Sequence, residues 1–383
     1  MDLTFSAEDL AFRDEVRTWL RANVPAEPLP SLETETGFAA HRQWEKTLHA
    51  AGFSVVSWPV EFGGRDVSLV QWLLFEEEYY AAGAPGRVGQ NGIFLLAPTL
   101  FEHGTAEQRE RFLPRMASGE DVWAQAWSEP EAGSDLAGIR SRARRVPGGW
   151  RLSGQKTWSS RAAFADWAFG LFRSDPDAER HRGLTYFLFP LDAEGVTVRP
   201  IGRIDGKPAF AEIFLNEVFV PDSDVLGEVG EGWRVAMSTT GSERGLSLRS
   251  PGRFLAAAQR LVESWNGAAQ VQDRVVDAWI GASAYRLATF ETVTKVLAGS
   301  PVGPESSMNK VFWSELDIAL HEAAMDLLGP DAELTAGSPA APEGGAWPDG
   351  YLFSLAGPIY AGTNEIQRNV IAERVLGLPR EPR

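Results

Sequence analysis

The run Ala126-Trp127-Ser128-Glu129-Pro130-Glu131-Ala132-Gly133-Ser134-Asp135-Leu136-Ala137-Gly138 joins hydroxyls and small residues to the end of an apolar stretch that begins at Val122. Glycine and alanine let a ligand come close to the backbone, while Ser128 and Ser134 supply donors and acceptors for a ring edge or for phosphate oxygens. Such a segment can cradle a large polar cofactor. Gly, Ser, Asp and Pro are also the usual residues of an ordinary turn, so taken singly the run fits either reading.

Two later stretches add to it: Gly154-Gln155-Lys156-Thr157-Trp158-Ser159-Ser160 and Ile359-Tyr360-Ala361-Gly362-Thr363-Asn364-Glu365-Ile366-Gln367-Arg368. In this order and at these distances the three resemble the signatures of the acyl-CoA dehydrogenase family, flavoenzymes that desaturate acyl-CoA thioesters. The chemistry needs a base for the α-proton and an acceptor for the β-hydride; a carboxylate can be the base, but no protein side chain accepts hydride. The resemblance therefore implies FAD. It also implies that Ser128 and Ser160 hydrogen-bond the flavin ring, with Trp127 beside them and Trp158 packed on the ring. Ser134 would lie near the pyrophosphate and the CoA arm, and Thr363 and Glu365 would touch the flavin from the last stretch. Electrons would pass on to an electron-transfer flavoprotein.

The same resemblance offers two positions for the base. Many members use a glutamate in the last stretch, where this chain has Ala361, and a methyl group takes no proton. A second lineage carries the glutamate on a helix of the C-terminal domain, just before an arginine, and Ser242-Glu243-Arg244 stands at the matching distance after Gly230-Glu231-Gly232-Trp233. Glu243 is thus the expected catalytic base, with burial beside an acyl chain raising its pKa toward the working range. A surface Glu-Arg pair is the plainer alternative. Arg244 is expected to orient or balance charge near the substrate. Ala361 would still contribute its backbone N–H, which in the family helps to polarise the thioester carbonyl.

Composition narrows the remaining classes. The chain has 383 residues, 44% hydrophobic and 23% charged, which suits a globular protein of two or three domains. A net charge of -16 with no basic block argues against nucleic acid as a partner. The absence of cysteine excludes disulfides, thiol nucleophiles and thiolate metal sites, and the scattered histidines lack metal-ligand spacing. No apolar run approaches the ~20 residues of a membrane span, and no leader-like start is present, so a cytoplasmic protein is expected.

The elements that must position these residues form an α+β succession. Ser6 and Thr105 open capped helices, and residues 38–51, 69–82 and 93–102 are helix-like, which gives an N-terminal helical domain over residues 1–120. Short runs at residues 122–128, 150–153, 167–173, 184–189, 196–200 and 212–220 are rich in aromatic and β-branched residues and predict a middle small β-barrel or sheet domain, 121–228. Helical patterns return at 233–247, 251–264, 271–298 and 305–328; a Pro/Gly-rich loop over 329–350 and a final helix after Thr363 complete a C-terminal bundle, 229–383. This order is that of the acyl-CoA dehydrogenase fold.

Some positions depart from the family pattern. Homotetrameric members usually carry Arg-x-x-Phe-Gly and a following glutamine that reach the ADP half of a neighbour's FAD; here the region reads Arg260-Leu261-Val262-Glu263-Ser264-Trp265-Asn266-Gly267. Trp127 fills a position that is usually aliphatic. The departures resemble a bacterial branch acting on steroid side chains and other bulky acyl-CoAs, in which two different chains often pair. A homo- or hetero-oligomer built as a dimer of dimers is expected. Two further readings stand beside the dehydrogenase: a non-catalytic partner subunit, and an offshoot in which reduced flavin meets oxygen.

Overall fold

The computed structural model describes residues 3–244, 250–300 and 303–380, with the side chains of residues 242–244 outside that description. In chain order the helices are α1 (Ala7–Asn23), α2 (Glu35–Ala50), α3 (Leu69–Ala81), α4 (Ala97–His103) and α5 (Ala106–Ala117). Eight strands follow: β1 (Trp123–Ala126), β2 (Arg142–Val146), β3 (Gly149–Ser160), β4 (Trp167–Arg173), β5 (Leu184–Pro190), β6 (Val196–Ile201), β7 (Phe210–Pro221) and β8 (Val225–Leu226). The helices resume with α6 (Gly232–Arg244), α7 (Pro251–Ser264), α8 (Gln272–Leu297), α9 (Ser306–Leu328), α10 (Ala346–Ser354) and α11 (Asn364–Val370).

Side chains set the helix starts. Ser6 and Asp9 bond reciprocally at the head of α1, as do Ser68 and Gln71 at α3 and Thr105 and Gln108 at α5, so two orphan backbone donors are satisfied at each start. The chain divides into two compact units. One comprises Met1–Val24, Ser68–Ala84 and Arg244–Arg383, and among the described residues its regular elements are all helices. Its core gathers Phe254, Leu261, Tyr285, Trp313, Leu320 and Trp347. Bidentate pairs tie α3 to its neighbours, Arg17 to Glu78 and Arg286 to Glu77. Gly252 lets α7 approach α3 closely, since a Cβ there would come within 2.7 Å of the Glu76 carbonyl oxygen.

The other unit comprises Pro25–Val67 and Pro85–Glu243 and holds the sheet, in the order β6-β7-β3-β2-β4-β5-β8 with β1 pairing β4. Pairing is antiparallel except for β1 with β4 and the short contact of β2 with β4. Its apolar core includes Trp150, Leu152, Phe172, Phe187, Phe189, Ile213 and Val218.

Three elements differ from the sequence reading. β2 escaped it because Arg142, Arg144 and Arg145 face outward around a buried Ala143. The helix expected over 93–102 instead opens as a wider π turn, Asn91–Leu96, before α4; a Cβ on Gly92 would already meet Met116 and Trp123 at 3.0–3.2 Å, so this turn lies hard against its neighbours. The loop expected over 329–350 ends early, because α10 starts at Ala346 and buries Trp347. Among the described residues, no helix is long and apolar enough to cross a membrane.

Candidate active site

The first motif leaves the end of β1 and is anchored at both ends. At its start Lys156 on β3 is fully buried and places its ammonium 2.8 Å from Glu129 Oε1, 2.7 Å from the Leu171 carbonyl and 3.3 Å from that of Trp127. Three donors thus meet three acceptors. The Glu129 carboxylate also accepts from the backbone amides of Arg140 and Ser141, at 2.6 and 3.0 Å. Burial pushes the Lys156 ammonium down to about 8, although Glu129 partly restores its charge. Burial also acts to raise the Glu129 carboxyl, but the Lys156 charge and hydrogen bond and the contacts at Arg140 and Ser141 leave it below its ordinary value.

At the far end of the motif, the Arg173 guanidinium donates to four carbonyls: Ala137 at 3.2 Å, Ala178 at 3.0 Å, Arg180 at 2.7 Å and Arg182 at 3.2 Å. Between the two anchors Gly133, Ser134 and Asp135 are exposed, and the space beside the Gly133 Cα is open. Asp135 pairs with Arg180. Ser134 is therefore presented on a loop whose ends are fixed.

The second motif lies alongside on β3, where Thr157 N–H donates to the Ser128 carbonyl at 2.9 Å. A register shift between Lys156 and Ser159 turns Trp158 out of the sheet. Its φ of 59° is left-handed, and its indole is 60% exposed, with Phe210 edge-on at 5.9 Å. Ser160, half-buried, pairs with Phe210 on β7. Nearby in sequence, Ser159 Oγ and Trp127 Nε1 are buried without a hydrogen-bond partner. The structure thus sets Trp127 and Ser128 at the exit of β1 beside Thr157 on β3, with Trp158 and Ser160 following on that strand, so that one unit carries an exposed aromatic face and hydroxyls of the kind a polar-edged ring would need.

The last motif lies in the other unit. Ala361 has φ 57° and Gly362 φ 77°, a tight turn that Gln367 holds by donating to the carbonyls of Ala361 and Gly362 at 3.0 and 3.3 Å. Below it the buried Asn364 amide oxygen accepts from Lys310 Nζ at 2.7 Å and from Ser314 Oγ at 3.1 Å. Thr363 caps α11 by accepting from Ile366 N–H, and Glu365 is exposed in the first turn. The Glu365 carboxyl is held below its ordinary value by its own backbone amide and by Thr363.

Glu243 and Arg244 fall in the last turn of α6, and their side chains lie outside the described residues. One turn earlier the helix is fixed by a buried hydroxyl cluster, in which Thr239 Oγ1 meets Thr99 Oγ1 at 2.9 Å and Tyr186 OH at 3.2 Å. Sequence reasoning missed this cluster, along with Lys156, Glu129, Arg173 and Gln367. A lysine inside a strand-like motif was the one available signal, because a charge facing an apolar core must find a partner.

A helical segment, a sheet and a helical bundle in this order define an acyl-CoA dehydrogenase fold. Residues 6–120 match the N-terminal domain of the acyl-CoA dehydrogenases, residues 124–218 the middle domain and residues 230–376 the C-terminal domain. The acyl-CoA dehydrogenase IpdE1 of Mycolicibacterium smegmatis is 40% identical over 393 residues, covering 97% of this chain and 98% of its own. Among solved structures, the Tcur3481-Tcur3483 steroid ACAD superposes with a TM-score of 0.89 at 28% identity, each chain covered in full. The ChsE4-ChsE5 complex from Mycobacterium tuberculosis does so with a TM-score of 0.84 at 28% identity, also with both chains fully covered. The chain belongs to the acyl-CoA dehydrogenase family and is an oxidoreductase acting on acyl-CoA.

Proposed function

We propose that this chain binds FAD and converts an acyl-CoA thioester to its 2,3-enoyl-CoA, with Glu243 as the base. The observation that carries the cofactor assignment is the exposed Trp158 indole, set in left-handed backbone two residues from Ser160 and next to Thr157, whose N–H donates to the Ser128 carbonyl. Trp127, Ser128, Trp158 and Ser160 would hold the ring, Ser134 the phosphate-bearing arm, and Thr363 and Glu365 the face met by the last motif. FAD supplies the hydride acceptor that no side chain can provide. Glu243 would take the α-proton, Arg244 would orient its charge, and the Ala361 N–H would stabilise negative charge growing on the thioester oxygen.

Residues 1–120, 121–228 and 229–383 serve in this reading as the three functional segments. The acyl group would be a steroid-derived one, by analogy with the Tcur3481-Tcur3483 steroid ACAD. An electron-transfer flavoprotein in the cytoplasm would collect the electrons. Pairing with a second, related chain is supported by the missing Arg-x-x-Phe-Gly string and by the two differently named chains in each of the similar structures, Tcur3481 with Tcur3483 and ChsE4 with ChsE5. An outward apolar stripe on α8, formed by Val276, Trp279, Ile280 and Leu287 at helical spacing and 39–57% exposed, supplies a surface for such a contact.

Ala361 in place of the usual glutamate favours a second reading, a partner subunit without catalysis of its own. Anaerobic titration of the FAD-loaded protein with a panel of acyl-CoAs separates the two. Bleaching with release of enoyl-CoA is expected; bound FAD that no acyl-CoA bleaches would leave the partner-subunit reading standing. Expressed singly, the chain should purify with flavin well below one per chain, and co-expression with its partner should raise flavin and activity together. A fully active homo-oligomer with one FAD per chain would contradict the pairing.

A further inference from the structure

Glu129 belongs to the first motif and Lys156 to the second, and the buried pair they form joins the two. Its polar contacts join four chain segments: the exit of β1 through the Trp127 carbonyl, the start of β2 through the Arg140 and Ser141 amides, β3 through Lys156 itself, and β4 through the Leu171 carbonyl. The Phe172 ring lies 4.7 Å from the ammonium. A buried ion pair is seldom the most stabilising way to fill such a space, because desolvating two charges offsets much of their attraction. What apolar side chains could not do here is saturate those backbone groups and fix where the Ser128 turn meets β3.

We propose that Lys156 and Glu129 are positioning residues for the cofactor site, setting the register between the turn that carries Ser128 and the segment that carries Trp158 and Ser160. The inference rests on the flavin reading given above. Ser128 follows Trp127 and precedes Glu129, so both of its neighbours are tied to the Lys156 ammonium, and Thr157, next to Lys156, donates to the Ser128 carbonyl. Any shift of the pair therefore moves the ring-facing edge. A pair that served only to stabilise the fold would leave that edge unchanged in a folded variant.

The test titrates FAD into the protein as isolated, with any partner that co-purifies, and compares the parent with Lys156→Met and Glu129→Gln well below the melting temperature of each. Glu129→Gln keeps the shape of the side chain and serves where Lys156→Met does not fold. With unchanged far-ultraviolet circular dichroism, the variants should bind FAD about tenfold or more weakly and show an altered flavin absorbance band. Folded variants with the parent's spectrum and a Kd within about twofold of the parent would overturn the proposal. A parent that binds no FAD even when co-expressed with its partner chain would overturn the flavin reading and this one with it, whereas a yellow parent with unaffected variants would overturn this one alone.

Discussion

The turn after β1 and the turn before α11 are both proposed to meet the cofactor, but they are fixed by different chemistry. In the first, a buried ammonium and carboxylate hold backbone groups from three segments, and the residues left outside, Ser134 and Trp158, present side chains. In the second, the Gln367 amide holds the two carbonyls of a tight turn, and Ala361 has only backbone to offer. Trp158 and Ala361 nevertheless share left-handed backbone, with φ of 59° and 57°. The turn that presents side chains is held by buried charged anchors; the turn that presents only backbone is held by one side-chain amide.

The largest break in this comparison is expected from Lys156→Met, which strands a buried carboxylate and should cost about 3–5 kcal/mol of unfolding free energy in denaturant titration. The pH dependence of Glu129→Gln sharpens the same point. The Glu129 carboxyl is held below its ordinary value of 4.5 in the folded chain, so its stabilisation is complete above that value and is lost as pH falls through the lower folded one. The gap in stability between parent and Glu129→Gln should therefore narrow in acid. A gap that stays constant with pH would mean the carboxylate charge does not matter.

Gln367→Leu should cost less, about 1–3 kcal/mol, since it leaves two neutral carbonyls unpaired rather than a charge. A loss larger than that of Lys156→Met would reverse the comparison. Ser128→Ala and Ser160→Ala should each weaken FAD retention by about 0.5–1.5 kcal/mol, read by repeated gel filtration and the flavin spectrum, with melting temperature unchanged. Unaltered flavin content would mean these hydroxyls do not meet the ring. The smallest effect is expected from Ala361→Gly, which relieves left-handed strain and should raise stability by up to about 1 kcal/mol; a fall would show that the Ala361 methyl is supported by packing.

Much of this molecule was legible in its sequence because local chemistry marks it. Ser6 and Thr105 cap the helices that follow them, and the aromatic runs read at residues 167–173 and 184–189 are buried strands. β2 was not legible, since an exposed face of arginines hides its alternation, and Trp158 was readable as an aromatic but not as an outward-facing one, which depends on the shift in register after Lys156. The anchors were the least visible part. Glu129 and Lys156 are 27 residues apart, and nothing local announces that they meet. Glu243 stands differently again: its place on α6 follows from sequence and helix, and its role is a matter for kinetics.

The measurement that tests that role most directly is anaerobic reduction of the FAD-loaded protein by a bleaching acyl-CoA, followed by absorbance for the parent and for Glu243→Gln. The parent should lose its yellow colour on binding substrate. The variant should keep its flavin and still bind acyl-CoA, yet bleach several orders of magnitude more slowly, because an amide cannot accept the α-proton. Bleaching within about tenfold of the parent rate would contradict the assignment of Glu243 as the base.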